Sequence, residues 1–171
     1  MSKKRYDNNT NVILDFAGKI PPWSNEIEQT VLGAMISNYG LIGKYPYLTH
    51  EVFYNNANSV IYKSLKILYE DDKKPDLIIL TDYLRVNGLL DEIGGLNYLM
   101  DVADKYVISI DNYVKILRDK YIYREIIKFS LISQRDAYDA IKDPVDIADA
   151  IMNSVMALFD FDMEVHNNFN K

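Results

Sequence analysis

From Ser109 to Ala140 the chain contains neither glycine nor proline, and its apolar residues recur at helical spacing. A helix of about 30 residues is about 45 Å long at roughly 1.5 Å per residue. That exceeds the width of a compact domain built from 171 residues. Such a helix must project or pack against something outside the domain. Ser109 reads as its N-cap, with Asn112 at N3. Asp143 and Pro144 then stand as N-cap and N1 of a second helix, and Asp146 at N3 suits its positive end. Ala148, Ile151, Met152, Val155 and Phe159 fall along one side of it. Only a few residues join the two helices, which forces an antiparallel hairpin.

The segment before the hairpin reads as several short helices. Residues 1–20 lack periodicity and end at Pro21 and Pro22, so they are expected to form a disordered leader. Ser24 or Asn25 can cap the next helix, and Asn25 with Glu28 has the spacing of a capping box. Ile27, Val31, Ala34 and Met35 carry that helix to about Asn38. A short helical piece over Leu41–Tyr45 and a loop from Leu48 to Asn56 are expected to follow. Asn56 or Asn58 then caps a helix with Ala57, Ile61, Leu65 and Leu68 on one face. Asp76 starts a further helix ending at Asn87 and Gly88, and the Gly94–Gly95 hinge precedes one with Leu96, Leu99 and Val102 inward. The stretch 77–80 could be a buried strand by composition, but no partner strand is visible. The expected fold is therefore all-α, a small helical bundle over 21–108 followed by a long antiparallel helical hairpin over 109–160, with a tail over 161–171.

Composition removes most catalytic chemistry. There is no cysteine, which excludes disulfides, thiolate metal sites and thiol nucleophiles. Net charge is −6, with no concentrated basic stripe of the kind a polyphosphate partner requires, so strong direct nucleic-acid binding is not expected. GLIGK at 40–44 has two residues between its glycines where a phosphate loop needs four, and Tyr45 stands where Ser or Thr belongs. His50 and His166 are far apart, and Asp160, Asp162 and Glu164 lack the glycine of a calcium loop. No metal or other cofactor is expected, and no catalytic constellation is visible. No apolar run approaches the roughly 20 residues of a membrane span; a cytoplasmic protein without a membrane partner is expected.

The 14 tyrosines are the more telling excess. Tyr106, Tyr113, Tyr121, Tyr123 and Tyr138 lie in or beside the hairpin, and tyrosine suits contacts that are buried yet partly wet. Ordinary hairpin packing explains such a pattern equally well; the excess of apolar and aromatic surface on a projecting element favours self-association.

Four stretches together resemble the N-terminal domain of replicative DNA helicases of the DnaB family. PPWSNEIEQTVLGAMI is similar to that family's PP…EAEQAVLGALL opening. FYNNANSVIYKSLKILYEDDKKPDLIILTDYL, LLDEIGGLNYLMDVAD and ISIDNYVKILRDKYIYREII resemble its later segments, in the same order and spacing from Pro21 to Phe159. Ile27 stands where the family has Ala, and Ile79 where it has Thr. The resemblance implies a helical bundle with a hairpin that pairs domains into dimers. Three dimers, a hexamer, would form a collar that receives primase and responds to a helicase loader. It places the self-association or partner interface on Tyr113, Leu117, Tyr121, Arg124, Leu131, Ile151 and Val155. No phosphate loop with GKT or GKS, acidic strand end or arginine finger follows. The chain is thus expected to be a non-catalytic replication domain; as part of a longer chain, it would belong to an ATP-dependent DNA helicase. The alternative is a free-standing regulator or inhibitor that acts through a helicase's collar.

Overall fold

The computed structural model describes the backbone of residues 19–169 and the side chains of residues 19–159. Most of the expected leader, residues 1–18, lies outside the described residues. Seven α-helices and one 3-10 turn make up the regular structure, with no strand among the described residues. The fold is all-α, a small helical bundle followed by a long antiparallel hairpin.

The first helix, α1 (Asn25–Ser37), is the bundle's centre. Val31, Leu32, Ala34 and Met35 are fully buried, and buried residues run through the whole span from Glu28 to Ile36. A helix covered on all sides shows little amphipathicity, as a core helix should. Ser24 caps it by accepting from the Ile27 amide at 3.4 Å. Glu28 is not half of a capping box with Asn25. Its side chain points into the bundle with no exposure, and its carboxyl oxygens accept from the Tyr54 amide at 2.9 Å, the Asn55 amide at 3.2 Å and Asn58 Nδ2 at 2.9 Å.

Those donors sit where the third helix begins. A short α2 (Gly40–Lys44) and a 3-10 turn at His50–Val52 lead into α3 (Asn56–Glu70). The turn replaces part of the expected loop because Leu48, Val52 and Phe53 are all drawn into the core. Asn55, rather than Asn56 or Asn58, caps α3 by accepting from the Ala57 amide at 2.9 Å. Ile61, Leu65 and Leu68 face inward as the spacing predicts, joined by Tyr62, whose hydroxyl donates to the Leu48 carbonyl at 2.8 Å.

Helix α4 (Leu77–Val86) starts at Asp76, whose carboxyl accepts from the Ile78 and Ile79 amides at 2.9 Å each. This settles 77–80 as helix. Gly88, at φ 69°, takes the left-handed conformation just past its end. Helix α5 (Gly95–Ala103) is capped by Gly94 and begins at Gly95, at φ 95° and 82°, which side chains rarely tolerate. Leu99 and Val102 are buried, but Leu96 is 42% exposed. The bundle-facing line of α5 begins one turn later than the spacing implies. At Gly33, an added Cβ would collide with the Val102 carbonyl oxygen; glycine lets α1 and α5 approach that closely.

Helix α6 (Asp111–Asp139) and helix α7 (Pro144–Phe169) form the hairpin. Ala140 turns the chain in the left-handed conformation, φ 49°, and Asp143 caps α7 by accepting from the Val145 amide at 2.8 Å. Because α7 runs on to Phe169, much of the expected tail is helical backbone. The chain divides into two compact units, one centred on residues 23–121 and one on residues 122–163. The division falls inside α6 and not at 108, because Ile110, Val114 and Leu117 complete the bundle core.

Glu28→Ala leaves the Tyr54 and Asn55 amides without their acceptor. It should lower unfolding free energy by about 3 kcal/mol in denaturant titrations, with Glu28→Gln recovering part of the loss. Gly33→Ala should cost about 1–3 kcal/mol by overpacking, measured the same way.

Candidate interaction surface

GLIGK forms helix α2, and its lysine is committed to a different task. Lys44 Nζ lies 2.7 Å from Asp111 Oδ1, and the Tyr45 hydroxyl donates to the same oxygen at 2.8 Å. Ser109 Oγ donates to the other oxygen at 3.0 Å. The first turn of α6 is thereby pinned to α2, with an acid at the positive end of the helix. The Lys44 hydrogen bond, followed by that of Tyr45, holds the Asp111 carboxyl below its ordinary value. The same bond raises the Lys44 ammonium, while burial, then the bond to Asp111, raises the Tyr45 hydroxyl. Among the described residues, no group of histidine and acid side chains could hold a metal ion.

The residues expected at an interface divide into two sets. Leu117 and Arg124 are buried within the chain, at 1% and 4% exposed. Leu117 belongs to the bundle core, and Arg124 Nη1 donates to the Pro22 carbonyl at 3.1 Å. Tyr113, Tyr121, Leu131 and Val155 are half-buried, and Ile151, one turn from both Ile147 and Val155, is 36% exposed.

The larger apolar surface lies elsewhere on α7. Val145, Met152, Met156 and Phe159 recur at spacings of seven, four and three, which places them along one face. They are 56–66% exposed. Ile147, Val155 and Leu158, on the adjoining side, are half-buried. The apolar arc of α7 is therefore wider than what is covered within the chain. Val145 and Met156 escape a search for a single stripe because α7 is apolar over two adjoining faces. At the hairpin tip, Tyr138 and Ile141 are 83% and 87% exposed, beside Asp136, which is held by Lys142 at 2.6 Å and Arg135 at 3.0 Å.

The described residues form an all-helical bundle and a helical hairpin whose α7 carries an exposed apolar face. The DnaB-like helicase N terminal domain family matches residues 20–119, and the chain belongs to that family. It is 30% identical over 147 residues to the replicative DNA helicase DnaB of Rhodothermus marinus, covering 84% of this chain and 16% of that protein. It is 29% identical to the replicative DNA helicase DnaC of Bacillus subtilis, over 81% of this chain and 31% of that one. The chain thus spans about a sixth to a third of these relatives. The crystal structure of the N-terminal domain of DnaB helicase from Mycobacterium tuberculosis superposes with a TM-score of 0.69 at 26% identity, covering 82% of this chain and 99% of that one. A DnaB-like replicative helicase, described with its interactions with primase, gives 0.59 at 24% identity over 79% of this chain and 31% of that one. No helix among the described residues is long and apolar enough to cross a membrane.

The depressed Asp111 pKa makes its contribution to stability complete above the ordinary value of 3.8. The contribution is lost as pH falls through the folded value. The raised Lys44 pKa gives the opposite limb, complete below 10.5 and lost as pH rises through its folded value. Melting temperatures of the wild type and Asp111→Asn should therefore differ by a constant amount near neutral pH and converge below pH 3.8. Both groups are solvent-exposed, so the difference should also shrink in high salt.

Proposed function

We propose that the chain is a non-catalytic self-association domain of the replication machinery, in which the exposed face of α7 pairs two copies. The observation that carries this reading is the run of Val145, Met152, Met156 and Phe159, more than half exposed on a helix with no cover on that side. Apolar faces of this kind mark contact sites. Tyr113, Tyr121, Leu131, Ile151 and Val155 border it as secondary contacts. Dimers formed this way would assemble by threes into a hexameric collar, and family membership supports primase or a helicase loader as the collar's further partners. The domain would work in the cytoplasm by packing and docking, while ATP-driven unwinding would belong to a motor elsewhere in a longer protein.

Light scattering tests this directly. The wild type should be dimeric or larger at micromolar concentration, and Met152→Asp with Met156→Asp should make it monomeric with unchanged helical circular dichroism. Val155→Asp alone should weaken association by at least about tenfold, or roughly 1.4 kcal/mol. A wild type that stays monomeric at high concentration would sink the proposal.

A further inference from the structure

The turn that ends α4 carries a reactive pair. Asn87 and Gly88 form the sole Asn–Gly step in the sequence, and every other asparagine precedes a residue with a side chain. Asn87 is the C-cap of α4, at φ −89° and ψ 4°, and Gly88 takes the left-handed conformation at φ 69°. Both residues are exposed, and no atom lies within 4 Å of where a Cβ on Gly88 would stand. Solvent thus reaches both the Asn87 side-chain amide and the glycine beside it.

The hydrogen bonds that hold the pair are local and terminal. The Tyr83 carbonyl accepts from Asn87 Nδ2 at 2.8 Å and from the Asn87 amide at 3.1 Å, and the Arg85 carbonyl accepts from the Gly88 amide at 3.1 Å. All belong to the last turn of a short helix, the part that frays first and opens at least cost. Beyond them, the Leu89 and Leu90 amides both donate to the Leu84 carbonyl, at 2.8 Å and 3.2 Å, and Leu84 is fully buried. The Asn–Gly step therefore sits between a labile turn and an anchor in the core.

We propose that Asn87 is a site of spontaneous chemical modification, at which the chain closes on itself and loses ammonia. When the last turn opens, the Gly88 nitrogen gives its proton to hydroxide or water and attacks Asn87 Cγ. A C–N bond forms there, the Cγ–Nδ2 bond breaks, and the side-chain nitrogen leaves as ammonia. The product is a five-membered succinimide. Water then opens the ring at one of its two carbonyls, giving aspartate, or isoaspartate in which the main chain runs through Cγ. Water is the sole co-reactant, and nothing is oxidised or reduced. Glycine permits the closure because no Cβ obstructs the attacking nitrogen. Either product puts a carboxylate at the negative end of α4, within a segment, residues 76–104, that already holds six acids and one base. A carboxylate cannot donate to the Tyr83 carbonyl, so the side-chain cap is lost. Isoaspartate also lengthens the main chain by one carbon just before Leu89 and Leu90, which draws their amides off the Leu84 carbonyl.

Ageing the full chain provides the test. The folded protein is held at physiological temperature and mildly alkaline pH, then digested and mapped by mass spectrometry, with a protein isoaspartyl methyltransferase as the probe for isoaspartate. Isoaspartate should accumulate at position 87 to at least tenfold the level at any other asparagine. Asn87→Gln keeps the amide but cannot close a five-membered ring, and should abolish the signal; Gly88→Ala should slow it at least tenfold. In the converted fraction, hydrogen exchange at the Leu89 and Leu90 amides should be at least tenfold faster, with exchange at Leu65 in α3 unchanged. Isoaspartate spread evenly over the asparagines would overturn the proposal. So would a folded chain that stays intact at Asn87 while the same chain in denaturant converts, or equal ageing of the wild type and Asn87→Gln. Unchanged exchange at Leu89 and Leu90 after conversion would overturn the proposed effect on the end of α4.

Discussion

The bundle depends on the Glu28 carboxyl group, which lies inside it and accepts from two backbone amides and one side-chain amide at the start of α3. Stripping water from a carboxyl group is costly unless hydrogen bonds replace it. Here the replacement also sets geometry, because the Tyr54 and Asn55 amides can both reach Glu28 only if the chain leaves the 3-10 turn in one way. Asn25 extends the arrangement by accepting from Asn55 Nδ2 and Asn58 Nδ2, and Tyr98 donates to Asn58 Oδ1 at 2.8 Å. Three helices are thus registered against one another by a polar cluster within a largely apolar core. Apolar packing alone tolerates many arrangements of similar energy, whereas a satisfied polar network admits few.

The helices themselves were legible in the sequence for ordinary reasons. Asp76 and Asp143 announce helix starts by chemistry that acts within two or three residues, and Gly88 and Gly94 mark conformations that other residues avoid. Glu28 was not legible, because its partners are separated from it by 26 to 30 residues and nothing local distinguishes a buried acid from a solvated one. Asn25, which looked like a cap, serves the same cluster.

Which side chains stay exposed was legible only in part, and α6 shows why. Its apolar residues are spread around the helix, and its environment changes along its length from bundle core to hairpin arm. Leu117 and Arg124 therefore fall on a repeating line with Tyr113 and Tyr121 yet are buried. Leu96 fails in the opposite direction, because the two glycines before it leave the first turn of α5 outside the core. On α7 the apolar residues cover two adjoining faces, so the helix has both a covered side and an open one, and periodicity alone does not tell them apart.

The open side of α7 has a chemical consequence. Met152 and Met156, more than half exposed, put two thioethers in the middle of the stripe. Unbranched and polarisable, they adapt to differently shaped partner surfaces at little cost. They are also the side chains that mild oxidants convert to polar sulfoxides, a change that methionine sulfoxide reductases reverse. A chain with no thiol thus still carries a reversible oxidation chemistry, and carries it on the face proposed to hold two copies together.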